Sequence, residues 1–383
     1  MPRTYSRTKV MASLAVELAA GICLWPLLLV SRLQKRKTKN ILLVEPFQMG
    51  DALSLTPMIA PLLVRFPDAR IFVLTKQGSG AILKLDKRLA GVFSADFPWA
   101  DHGVKNFSWQ RVFSVARSVW KLRSQKFYLG IDTRGDIRSQ ILLVLAGCRL
   151  RAGYTNYLQS NINQFGLLLS HTVRKSSFVH RFEWNLHALT VLRIPPESLL
   201  PVQFPTFFPE VETFECHKPY LLIHVGGGWE YRRWSEEKWI ALIKELIHTV
   251  DYDIKVVGGS GEQEIVTRME ARVEKSVRVS FCITSLTQLV QHVQASLFFI
   301  GLDSGPMNLA ACLNKPVVAL FGPGDVNVWR PLPAGSRVVR KTDRFPCSPC
   351  LQIHCFFPEH NCMAEIEVSD VMKAVREATT ALV

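Results

Sequence analysis

Short apolar runs recur along the chain, each closed by glycine or a polar residue. Residues 41–44 end at Glu45, 71–74 at Thr75 and 127–131 at Asp132. In the second half, 220–225 end at Gly226, 254–257 at Gly258, 297–300 at Gly301 and 317–321 at Gly322. Runs this short predict strands of a parallel sheet, where both faces are covered. Stretches of helical period lie between them, at 52–66, 138–145, 181–192, 235–246, 287–295 and 307–313. Residues 194–219 are rich in proline and phenylalanine and lack helical period, so they mark a crossing between two β-turn-α series. The fold class is α/β, with two Rossmann-like halves.

In open α/β sheets ligands gather at the carboxyl ends of the strands, and the chemistry-bearing residues sit there. Gly50 lets the first loop turn, and Asp51 opens the helix after it. Spacing alone favours a helix cap for Asp51; a general base is the other reading. Arg134 and Arg138 follow the strand at 127–132, either to meet an anionic acceptor or as ordinary surface arginines. Gly226, Gly227 and Gly228 expose backbone amides before Arg232 and Arg233, a set suited to a diphosphate. Glu262 and Glu264 begin the next helix; they either accept from ribose hydroxyls or simply suit a first helical turn. Asp303, Ser304 and Gly305 precede a helix whose first amides can take a phosphate, although a capped helix start would look the same. No GxGxxG follows the first strand, which counts against a dinucleotide oxidoreductase.

Composition changes this picture at the ends of the chain. Of the 383 residues, 48% are hydrophobic and 20% charged, which is globular and enough for two domains. Half of the formal net charge of +14 lies in the first forty residues, which hold eight Lys/Arg and one Glu. The excess is a local flank, and no nucleic-acid partner is expected. Residues 10–30 are apolar or small apart from Glu17, long enough as a helix to cross about 30 Å. Glu17 and Pro26 weigh against a span. A helix lying in the inner leaflet, a single span and a helix packed on the protein itself all remain open. The heavier basic flank after the apolar run predicts that the rest of the chain stays cytoplasmic. Among nine cysteines, Cys347, Cys350, Cys355 and Cys362 lie within sixteen residues, with His354 and His360 nearby. They form either a structural zinc site or a cluster without metal.

The chain resembles glycosyltransferase family 9, the heptosyltransferases of lipopolysaccharide inner-core assembly. The matching pieces are Met49-Gly50-Asp51 with Thr56-Pro57, Ile131-Asp132 with Arg138-Ser139, Arg232-x-Trp234, and the run from Asp303 to Asp325, DSGPMNLAACLNKPVVALFGPGD. The resemblance implies a GT-B fold, two Rossmann-like domains facing across a cleft. It implies inverting, metal-independent transfer from a nucleotide sugar, ADP-heptose by preference, to a glycolipid acceptor at a membrane surface, with no cofactor required. Asp51 matches the family's proposed base, Arg232 a donor-phosphate contact, Asp303 the acid opening the donor loop, and Glu262 or Glu264 a nucleoside contact. Asn308 stands where relatives usually carry histidine, and Gly227 and Gly228 where some carry hydroxyl residues. These departures put the sugar nucleotide in question more than the reaction. The expected organisation is an N-terminal segment, 1–38; an acceptor domain, 39–205; a donor domain, 219–363, with its cysteine loop at 347–362; and a terminal helix, 364–383. Two alternatives stand beside heptosyl transfer: a family member using another nucleotide sugar in a different surface polysaccharide, and a catalytically idle glycolipid-binding homologue.

Overall fold

The structure, a computed structural model, describes residues 7–34, 39–100, 108–155, 165–173, 179–195, 198–203, 218–228, 230–342, 345, 347–350, 355 and 362–380. The chain divides into two compact units, Met1–Gln203 and Phe204–Val383.

The first unit begins with a long helix, α1 (Arg7–Leu33). The sheet strands are β1 (Ile41–Glu45), β2 (Ile71–Lys76), β3 (Leu89–Ala95), β4 (Leu129–Asp132), β5 (Leu150–Tyr154) and β6 (His171–Val173). The helices after α1 are α2 (Met49–Leu53), α3 (Thr56–Arg65), α4 (Ser79–Leu83), α5 (Trp109–Arg123), α6 (Ile137–Leu145) and α7 (Arg181–His187). The strands run parallel in the order β3-β2-β1-β4-β5-β6. The chain builds outward from β1 to β3, then returns to lay β4 on the other side of β1. Leu42, Val44, Phe72, Leu74, Phe127 and Leu143 fill one core cluster of this unit.

One helix expected over 52–66 is two. Pro57 has no N–H to give Leu53 O, so that carbonyl accepts instead from Thr56 Oγ1 at 2.8 Å, while Ser54 Oγ donates to Asp51 O at 2.5 Å. Pro57 then sits in the first turn of α3, where a missing N–H costs nothing. The helix expected over 181–192 tightens after His187 into a 3-10 turn, Ala188–Leu192, and stops at Arg193 in the left-handed region (φ 60°).

The second unit repeats the plan with β7 (Tyr220–His224), α8 (Glu236–Thr249), β8 (Asp253–Gly258), α9 (Gln263–Arg272), β9 (Val279–Ile283), α10 (Leu286–Ala295), β10 (Phe298–Leu302), α11 (Gly305–Cys312), β11 (Val317–Phe321), α12 (Val326–Trp329), β12 (Arg337–Arg340) and α13 (Val368–Thr380). Its sheet is parallel in the order β12-β11-β10-β7-β8-β9. Ser235 caps α8, as its position before a periodic run predicts, and accepts from Lys238 N at 3.3 Å. Trp239, Leu242 and Leu246 of α8 are fully buried with Phe298, Ile300 and Leu320 of the sheet. The terminal helix α13 packs on α8, β11 and β12 of this unit.

Candidate functional site

In each unit the strand order reverses beside the first strand, β1 in one and β7 in the other, and the two loops flanking that reversal carry the polar residues.

In the first unit the loops after β1 and β4 meet. Asp51 Oδ1 pairs with Arg134 Nη1 at 2.7 Å and lies 3.8 Å from Arg181 Nε. Its other oxygen accepts from Gln48 N at 3.3 Å. The same two arginines bind Glu45, the last residue of β1: Arg134 Nη1 at 3.4 Å, and Arg181 Nη2 in a shorter ion pair. Thr133 Oγ1 donates to Glu45 at 3.1 Å, and Arg181 Nη1 donates to Thr133 O at 3.1 Å. Glu45 and Arg181 are wholly buried, whereas the side chains of Asp51 and Arg134 each keep 13% of their surface open. Burial raises the pKa of Glu45, with Arg134 and Arg181 opposing. Two carboxylates and two guanidiniums therefore alternate around a closed set, and its partly exposed carboxylate is Asp51. Next to it, Asp132 closes β4 and accepts from Arg134 N and Asp136 N, both at 3.0 Å. Burial pushes its pKa up to about 7, against the Arg134 N–H and with Asp136 adding to the rise.

Arg134 lies 4.1 Å from the centre of the Phe47 ring. Arg138 is gripped by the Asp136 carboxylate, Nη2 to Oδ2 at 2.6 Å, and lies 5.5 Å from the Trp99 ring. The structure thus gives Arg134 a partner within the site, Asp51, and gives Arg138 one at its own helix cap. Sequence reading registered Glu45 only as a charge ending an apolar strand, and Arg181 only as the start of a helix. The first was a usable signal, since a carboxylate closing a buried strand needs a cation; the second carried none.

In the second unit the loops after β7 and β10 meet. Arg232 Nη1 reaches Asp303 Oδ2 at 3.4 Å. Asp303 is pushed above the ordinary carboxylate range by burial, with Arg232 opposing and Asp325 adding to the rise. Its carboxylate lies so close to Gly324 that any side chain there would collide with it. Ser304 precedes α11 without capping it, and its hydroxyl is buried with no partner among the described residues. Asn308 Nδ2 donates to Ser304 O at 3.0 Å. Arg233 Nε donates to Gly227 O at 3.2 Å and so fixes the glycine loop. An added Cβ at Gly227 would approach Leu302 at 3.0 Å, whereas at Gly228 it would meet open space.

The two acidic candidates differ. Glu262 Oε2 accepts from Gly259 N at 2.9 Å. A side chain on Gly226 would run into Glu262 and His224 together. Gly226 N donates to His224 Nδ1 at 3.2 Å, and burial lowers the pKa of that histidine, with Glu262 opposing. Glu264 is 95% exposed, on the outer side of its turn. His224 was not singled out in the sequence.

The thiols of Cys347, Cys350, Cys355 and Cys362 are in the reduced state. Burial pushes Cys362 up to about 11, and the other three add to the rise. Among the described residues no three His, Cys, Asp or Glu side chains are grouped to hold a metal. His354 and His360 lie outside the described residues.

Lipopolysaccharide heptosyltransferase 3 of Escherichia coli is 24% identical over 307 residues, covering 74% of this chain and 83% of that protein. Lipopolysaccharide heptosyltransferase 2 of Escherichia coli strain K12 is 24% identical over 323 residues, 79% and 88% of the two chains. Among solved structures, the ADP-heptose lipopolysaccharide heptosyltransferase II of Escherichia coli matches with a TM-score of 0.66 at 18% identity, covering 89% of this chain and 98% of that one. The Escherichia coli heptosyltransferase WaaC with ADP-2-deoxy-2-fluoro heptose gives 0.64 at 18% identity, over 88% and 99%. With these neighbours, the two parallel sheets and their flanking helices are an α/β GT-B fold. The model of glycosyltransferase family 9 (heptosyltransferase) matches residues 115–360, well over half of the sequence. With the heptosyltransferase relatives, that match makes the protein a glycosyltransferase, and the chain belongs to that family.

Proposed function

We propose that this enzyme moves a heptose, with inversion at the anomeric carbon, from ADP-heptose to a glycolipid acceptor of the lipopolysaccharide-core kind, at the cytoplasmic face of the inner membrane. The observation that carries the reading is the site between β7 and β10. Arg232, the partnerless hydroxyl of Ser304 and the first amides of α11 come together there. These groups suit a leaving diphosphate, whose charge grows as the glycosidic bond breaks. The solved Escherichia coli relative WaaC is known with ADP and with ADP-2-deoxy-2-fluoro heptose, which supports the choice of donor.

Asp51 is the proposed base. It takes the proton of the attacking hydroxyl as the new bond forms. Arg134 and Arg181 fix the carboxylate from one side, and the oxygen bound only weakly by Gln48 N is the one left for the acceptor. Arg138 and the open part of Arg134 are the proposed contacts for acceptor anions. Glu262 shapes the loops after β7 and β8, which supports it as the nucleoside contact; Glu264, facing outward, is the weaker candidate.

Donation from another nucleotide sugar is the second reading. Asn308 spends its amide on Ser304 O, and the space beside Gly228 is open, so this part of the site is shaped differently from relatives with histidine and hydroxyl residues. Purified protein incubated with ADP-heptose, or with GDP- and UDP-sugars, and a lipopolysaccharide acceptor lacking heptose separates the readings by product mass. Heptosylated acceptor from ADP-heptose alone is the expected result. Product from another donor establishes the second reading. Glycolipid binding without transfer or donor hydrolysis identifies an idle homologue.

A further inference from the structure

The helix layer on one side of the first unit has a surface that transfer chemistry does not explain. α6 packs against both α1 and α5. These three helices hold eight Lys/Arg and a single carboxylate, Glu17. Glu17 is fully buried and already spent: it accepts from Phe165 N at 2.6 Å and from Leu167 N at 2.7 Å. Fourteen residues further along α1, Ser31 Oγ accepts from the buried guanidinium of Arg151 at 3.1 Å. Glu17 and Ser31 fall on one stripe, and at 1.5 Å per residue they pin the helix at points roughly 20 Å apart. Gly21, on the same stripe, lies against Leu167.

A helix pinned this way cannot stand across a bilayer, because both attachment points belong to the globular unit. The opposite face of α1 is nonetheless apolar. Ile22, Trp25 and Leu29 are each 48–71% exposed. α5 adds a second stripe at helical spacing: Trp109, Phe113 and Trp120 are 65–75% exposed. Arg117 and Lys121 are exposed next to that stripe, and α5 has no acid. Arg123 Nη1, which donates to Leu145 O at 3.0 Å, ties α5 to α6. Aromatic and aliphatic side chains outward, basic residues beside them and no free carboxylate are the chemistry of a surface that meets anionic lipid. The sequence adds Lys35, Arg36, Lys37 and Lys39 immediately after α1.

We infer that α1 and α5 together form a monotopic docking face, on which the first unit lies flat against an anionic bilayer. The inference rests on the proposed placement at the membrane face and deepens it; it does not depend on the choice of sugar or acceptor.

Co-sedimentation of the full chain with vesicles that contain no acceptor glycolipid tests it. Vesicles of phosphatidylethanolamine and phosphatidylglycerol should bind the protein at least tenfold more tightly than phosphatidylcholine vesicles. Ile22→Glu with Trp25→Glu, and separately Phe113→Glu with Trp120→Glu, should each weaken that binding at least tenfold. Alkaline carbonate should release the wild-type protein. All four positions are exposed, and unchanged thermal melts confirm that the variants fold. Wild-type binding by the α5 pair removes α5 from the face and overturns the inference. So does protein that only detergent extracts, which would mean a span, or equal binding to neutral vesicles. Loss of a lipid-free dimer in the variants, with vesicle binding intact, would make the face a subunit interface and overturn it as well.

Discussion

Asp51 receives Gln48 N and Arg134 at once, so capping and base chemistry are not exclusive at this position. They are separable by one substitution. Asp51→Asn keeps a residue that caps nearly as well and removes the proton acceptor. Transfer should fall by roughly 10²–10⁴-fold, the usual scale for general base catalysis, with donor affinity and melting temperature little changed. Turnover measured on the true acceptor decides it, and near-normal rates in the folded variant leave Asp51 as a cap. On the donor side, Arg232→Ala should weaken nucleotide binding by about 1.5–3 kcal/mol, read by calorimetry, because a charged hydrogen bond to phosphate is lost. Unchanged affinity would put the phosphate on Arg233 or on backbone amides. The residues legible beforehand were those whose type and position coincide: an acid after a glycine at a strand end, an arginine after a glycine run. Glu45 and Arg181 were not, because their pairing joins positions 136 residues apart, and only the folded sheet brings them together.

Elements were legible where period and punctuation agree. β1, β7 and β11 follow directly from apolar runs closed by glycine or acid, whereas β10 runs on through Gly301 to Leu302. α5 escaped notice because its aromatic residues point outward, so its period does not read as a core-facing stripe. The break between α2 and α3 escaped too, because the apolar period runs through Pro57, the residue that cannot donate to Leu53 O and so starts a new helix. On α10, burial holds the His292 pKa down at about 4, with Lys255 adding to the effect. The folded protein keeps this ring neutral while the unfolded chain protonates it below about 6.5. Its contribution is therefore complete above that pH and is lost as pH falls toward 4, by about 1.4 kcal/mol per pH unit. His292→Leu should flatten this part of a denaturant-midpoint profile; an unchanged slope would show that another group is responsible. The cysteine loop makes a separate test. Metal analysis of protein purified without added metal should return about one zinc per chain if the four thiols bind it. Metal-free protein with titratable thiols would end that idea, and activity in chelator should persist either way.

Across the whole molecule, two similar sheets were visible from the repeated strand–turn–helix pattern, and the Pro- and Phe-rich stretch at 194–219 covers the boundary at Gln203–Phe204. What could not be read was how α1 attaches, because apolar length and basic flanks are the same for a span, a surface helix and an anchor. Glu17 held the answer in the form of a buried acid, and only the loop at Phe165–Leu167 explains it. Glu17→Ala leaves two amides without their acceptor and should lower the stability of the first unit by about 2 kcal/mol, measured by chemical denaturation. A midpoint equal to wild type would mean that α1 is only loosely attached. The same anchoring bears on how such proteins are produced. Trimming a hydrophobic N-terminus to gain yield treats it as a detachable tail. Here, a chain begun at Lys39 would uncover the ground beneath α1 and strip the loop at 165–167 of its acceptor, inviting aggregation and proteolytic clipping there. Milder changes on the lipid-facing side of α1 are the better route to a well-behaved soluble enzyme.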